Sequence, residues 1–210
     1  MPWGCDLKRV LLTAVIATLA YASVAGATAS QIKVADNFFS PRTPPVRNLA
    51  SGASFTWTRA AGSTGFHNIR QNVRLFRSGD LTSGPINYSV TASAGTYHYY
   101  CELHGSPTGG MDGIVKVRPT FLADPTGAPF TVKWALLGTT TGDKFDVRFR
   151  VGTATTWTLW RNDTSARSGI FGQNNQPVQV VPGQTYQFQA RSENDPTKPS
   201  GWSPTLTATP

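Results

Sequence analysis

Cysteine is almost missing from this sequence. There are two in 210 residues, Cys5 and Cys101, so a disulfide-stapled scaffold is excluded. Methionine also occurs twice, and histidine three times. Charge is scarce, with 14% Asp, Glu, Lys and Arg. No stretch keeps a sustained helical period, which argues against a helical bundle. Basic residues outnumber acidic ones, 19 to 11, and the formal charge is +8, yet no Lys/Arg run occurs. The excess favours acidic partners in general, and nucleic-acid binding is not expected. What the chain does have is 20 Gly, 15 Pro and an aromatic share of 11%. That composition suits short strands joined by turns, and the expected fold class is all-β.

The first 29 residues read as an export signal. Lys8 and Arg9 precede the apolar stretch VLLTAVIATLAYASVAG, and small residues follow at Ala25-Gly26-Ala27 and Ala27-Thr28-Ala29. The stretch is short for a membrane span, so a secreted or periplasmic protein without a remaining span is expected. Cleavage would remove Asp6, Lys8 and Arg9, lowering the formal charge from +8 to +7. It would also remove Cys5 and Met1. The exported chain then keeps one cysteine, Cys101, and one methionine, Met111, with His104 between them. An unpaired cysteine in an oxidising compartment implies intermolecular pairing, a reactive thiol, or a thiol occupied by a metal.

Residues 31–118 contain strand-like segments: QIKVADNFF, SFTWT with Phe55 and Trp57 on one face, NYSVTA, AGTYHYYC and GIVKV. VRPTFLADPTGAP is a Pro/Gly-punctuated connection, and a linker is expected over residues 119–128. Strands resume with FTVKWALL, KFDVRFRVG, TTWTLW, PVQVV and TYQFQARS. In KFDVRFRVG, Phe145, Val147 and Phe149 alternate against Asp146, Arg148 and Arg150. The expectation is two β-sandwiches, residues 30–118 and 129–210. The second has no His, Cys or Met and no convincing pair of carboxylates, so chemistry is sought in the first.

In TYHYYC, residues 96–101, Tyr97, Tyr99 and Cys101 share one face and His98 and Tyr100 the other. If the tyrosines face the core, so does Cys101, at the strand's end. His104 follows three residues later, and Met111 returns through SPTGG. Thiolate, imidazole and thioether together suit copper. Two His, one Cys and a weak axial Met define a blue-copper electron-transfer site. Zinc would draw further Cys or His and would not need Met. The second imidazole falls to His67, because His98 points away from the Cys101 face. A cysteine nucleophile with His104 as base lacks an evident third group. No enzymatic activity is expected. Three histidines are too few for the trinuclear cluster of a multicopper oxidase.

The segments DNFFSP, SGASFTWT, His67-Asn68, SAGTYHYYC and CELHGSPTGGMDGIVKV resemble those of a cupredoxin of the plastocyanin/pseudoazurin kind. The resemblance implies a Greek-key sandwich with copper near one end. It implies His67, Cys101, His104 and Met111 as ligands of one mononuclear copper ion. It also implies Asn68 as the residue that ties the two ligand loops together, and His104 as the electron port. Six residues separate His104 from Met111, longer than in the shortest family loops. Residues 129–210 resemble a fibronectin type III module, with Trp134 on an early strand and Tyr186 as the tyrosine-corner residue. The function implied is one-electron transfer with a redox partner, an acidic one on charge grounds. Copper storage or delivery, and an adhesion or matrix role on a cupredoxin scaffold, are the alternatives. Trp157, Trp160 and Trp202 are candidates for a glycan, cell-wall or protein contact.

Overall fold

The computed structural model describes Met1 and residues 29–210. Almost all of the expected signal segment 1–29, with Cys5, lies outside the described residues. Among those described, no helix is long and apolar enough to cross a membrane.

Eight strands make the first unit: β1 (Ser30–Ala35), β2 (Phe38–Ser40), β3 (Arg47–Asn48), β4 (Ser54–Arg59), β5 (Arg70–Gln71), β6 (Asn87–Thr91), β7 (Gly95–Ser106) and β8 (Gly109–Arg118). They form two sheets, ordered β2-β1-β4-β6 and β3-β8-β7-β5. The alternation expected from sequence is present. Phe55 and Trp57 of β4 face inward, as do Tyr97, Tyr99 and Cys101 of β7. These residues join Ile32, Val34, Val115 and Val117 in one core. Trp57 packs edge-on against Tyr99, with ring centroids 5.1 Å apart.

Seven strands make the second unit: β9 (Thr120–Phe121), β10 (Phe130–Lys133), β11 (Lys144–Val151), β12 (Thr158–Thr164), β13 (Ser168–Phe171), β14 (Tyr186–Glu193) and β15 (Leu206–Ala208). Their sheets run β13-β10-β9 and β12-β11-β14-β15. Trp134, Phe145, Phe171, Tyr186 and Phe188 fill a separate core. The fold is thus all-β, two packed sandwiches.

Two sequence expectations change here. Residues 120–121 lie in the stretch read as linker, yet β9 pairs with β10, and Phe121 packs on Phe130 and Phe188. Asp146 was expected to face outward and is instead 2% exposed. It keeps its alternate facing, paired with Arg191 in the unbroken register of β11 and β14, but it is covered there: a bulge in the facing β12 brings the Asp163 N–H to its carboxylate at 2.9 Å, and Arg191 donates to it at 2.7 and 2.9 Å.

The units meet through hydrogen bonds at the start of β7. Thr96 and Gly201 exchange backbone bonds, both 2.9 Å, and the Ala94 N–H donates to Trp134 O at 2.7 Å. The buried Tyr97 hydroxyl donates to Ser93 O at 3.0 Å and lies within 3.1 Å of the hydroxyls of Ser93, Thr141 and Ser192. Tyr97 and Cys101 share a strand, so the second unit grips the end of β7 away from the cysteine.

Candidate metal centre

The hairpin of β7 and β8 builds half of the site. Its register is regular to Tyr100↔Asp112 and resumes at Gly105↔Gly110. Between those pairs the four residues 101–104 stand opposite Met111 alone. This widened bulge lets Cys101 and His104 turn toward one point. The chain closes so tightly behind it that a Cβ on Gly105 would run into the Met111 carbonyl.

The other half comes from the segment after β4. His67 exchanges backbone hydrogen bonds with Thr82, at 3.0 and 3.1 Å. Arg59, at the end of β4, donates to Gly65 O at 3.0 Å, Thr82 O at 2.6 Å and Gly84 O at 2.7 Å. One guanidinium therefore binds the loops on both sides of His67.

The two halves bring His67, Cys101 and His104 together. His67 Nδ1 and His104 Nδ1 are 3.2 Å apart. Cys101 Sγ lies 3.8 Å from the first and 3.6 Å from the second. A point equidistant from all three lies about 2 Å from each, close to the bond lengths of a first-row metal to imidazole nitrogen or thiolate. His67 and Cys101 are fully buried, and His104 is partly exposed. This group could hold a metal ion. Met111, 1% exposed, packs in the same core as Cys101. His98 stays on the opposite face of β7, partly exposed.

Asn68, fully buried, joins the halves. Its Oδ1 accepts from the Glu102 N–H at 3.0 Å, and its Nδ2 donates to Gly79 O at 3.1 Å and to the Glu102 carboxylate. Glu102 also receives Arg70 and Arg77. Burial pushes its acidity toward neutrality, but the bonds from Arg70, Asn68 and Arg77 outweigh that and hold its pKa down, to about 2.

Sequence reasoning missed three supports: Asp36, Arg59 and Glu102. Asp36 Oδ1 lies 3.0 Å from His67 Nε2, 31 positions away. No spacing rule links such residues. The only local signal is that Asp36 precedes a turn, with Asn37 at φ 70°. On the surface beside the site, the chain neighbours of the two histidines, Phe66 and Leu103, are both 55% exposed.

In the second unit, the Tyr186 hydroxyl accepts from the Val181 N–H at 2.8 Å and donates to Gln179 O at 3.4 Å. The three tryptophans do not form one patch. Trp160 packs inward against Trp134 and Phe171. Trp157 and Trp202 sandwich the Arg148 guanidinium, 4.7 and 4.0 Å from their centroids.

No known protein family matches this chain, and no curated protein does. Among solved structures, the chicken CNTN1 FN1-FN3 domains are similar at 14% identity, covering 80% of this chain and 67% of that one. The TM-score is 0.31, and at that value the likeness decides nothing about fold or function.

Proposed function

We propose that residues 30–118 form a cupredoxin-like domain carrying one type 1 copper ion, and that the protein performs one-electron transfer. The observation that carries this reading is the near-equal triangle of two Nδ1 atoms and one Sγ, with Met111 buried opposite the ligand bulge. Two imidazoles, one thiolate and one thioether are the donor set of blue copper. Copper, when bound, supplies the one-electron couple. The chain's part is to fix the donors. His67 is held through its backbone, and Cys101 and His104 sit in a hydrogen-bonded hairpin. Asn68 locks the two together. Ligands held this firmly move little when the charge at the centre changes, which keeps reorganisation small.

His104 is the exposed member of the triad and serves as the electron port. Phe66 and Leu103 flank the two histidines and give a partner an apolar surface that excludes water. The excess of basic residues selects an acidic redox partner. Residues 129–210 serve as a fibronectin type III-like accessory module; a 3+4 sheet arrangement and the bonds of Tyr186 support that reading. We place the mature protein outside the cytoplasm and assign it no bond-making catalysis.

Cyclic voltammetry of the copper-loaded protein, with a self-exchange rate from NMR line broadening, tests this function. A reversible one-electron wave with fast exchange is expected. Tight copper retention with no reversible wave would contradict electron transfer and leave storage or delivery.

A further inference from the structure

Asp36 is a meeting point of four donors. Its carboxylate accepts from Ser63 Oγ at 2.7 Å, the Thr64 N–H at 3.2 Å and the Gly65 N–H at 2.9 Å, and lies 3.0 Å from His67 Nε2. The first three bonds fold residues 63–65 against the fourth partner. The backbone comes so close that a Cβ on Gly65 would sit 2.8 Å from His67 Nε2 and 2.9 Å from Asp36 Oδ1. Only a residue without a side chain leaves that hydrogen bond intact.

A neutral imidazole carries one N–H, on either nitrogen. An ionised carboxylate only accepts, so at 3.0 Å the proton belongs on Nε2. The Nδ1 lone pair is then free, and Nδ1 is the atom that faces Cys101 and His104. We infer that Asp36, with Gly65 giving it access, is the positioning residue of the centre: it fixes the tautomer and ring direction of His67 and sets a negative charge one hydrogen bond from the ring of that imidazole. Carboxylate–histidine–metal arrangements orient ligands in this way and raise their basicity. The carboxylate also favours the more highly charged state of a bound metal. This inference rests on the reading of His67, Cys101 and His104 as a metal centre.

The test uses the full mature chain and the variants Asp36→Asn, Asp36→Ala, Gly65→Ala and Ser63→Ala. Ser63→Ala removes an Asp36 contact without touching His67. The first readout needs no metal. Imidazole ¹⁵N–¹H spectra of the apo-protein should show His67 as the Nε2–H tautomer in wild type and Ser63→Ala, and as a mixture in Asp36→Ala and Gly65→Ala. The second is copper affinity by competition. Asp36→Ala should lose about 10–100-fold in Cu(II) affinity, and Asp36→Asn, which can still accept but carries no charge, should lose less. The third is the midpoint potential, which should rise in Asp36→Asn while the visible spectrum is kept. A purely structural role would leave it unmoved. An Nδ1–H tautomer in the wild-type apo-protein would overturn the inference, as would unchanged affinity in Asp36→Ala. The expected tautomers in a protein that takes up no copper would uphold the positioning of His67 and sink the proposed function instead.

Discussion

Single residues on either side of the β7 hairpin carry most of what is specific to this molecule. Asn68 is fully buried and bonds Glu102 through both its amide atoms. Asn68→Ala strands the Glu102 N–H and should cost about 1–3 kcal/mol in a urea melt of the apo-protein; an unchanged midpoint would contradict that role. Glu193, 2% exposed, has its Oε2 buried without a partner among the described residues. Burial, and then the Asp146 charge, raise its pKa above the ordinary 4.5. A raised acid binds its proton more tightly folded than unfolded. Its stabilising effect is therefore complete below 4.5 and is lost as pH rises through the raised value. Glu193→Gln should raise the melting temperature at neutral pH, with the gain vanishing below about pH 4; a gain independent of pH would refute this. The sequence made His67, Asn68, Cys101 and His104 visible because each sits in a short recognisable stretch. Asp36 stayed hidden because its meaning depends on a contact across two loops.

Strands were legible where burial alternates strictly, as in β4 and β7. Asp146 broke the expected exposure because a bulge in the neighbouring β12, together with Arg191, covers it on the outer face, and such a bulge leaves no mark in composition. The same device makes the candidate site, with the four residues 101–104 opposite Met111. The spacing of Cys101, His104 and Met111 was plain in the sequence. That their segment is a closed hairpin rather than an open loop was not. Two glycines in it give a matched test. A Cβ on Gly105 would strike the Met111 backbone, whereas one on Gly109 meets nothing within 4 Å. Gly105→Ala should cost about 1–3 kcal/mol by overpacking and weaken metal uptake. Gly109→Ala should change neither. Equal effects from the two, by denaturation and metal titration, would show that the hairpin does not shape the site.

Across the whole molecule, the second unit holds one end of β7 and the donor set begins about 16 Å further along the same strand. The His104 edge therefore lies outside the contact between the two units. The Pro/Gly composition of residues 117–129 marked only a domain boundary and a linker. The grip comes instead from Thr96, Tyr97, Thr141, Ser192 and Gly201, residues too ordinary in type to announce an interface. Tyr97→Phe removes the hydroxyl that three others share, and should destabilise the full chain by about 1–3 kcal/mol in calorimetry; no change would mean the two units are merely adjacent. The central claim is tested most directly by adding Cu(II) to the mature chain and recording visible absorption and EPR spectra, beside Cys101→Ser. The account predicts an intense thiolate-to-copper band and a small copper hyperfine splitting, both lost in Cys101→Ser. A colourless protein, or ordinary tetragonal copper signals that survive in Cys101→Ser, would contradict it.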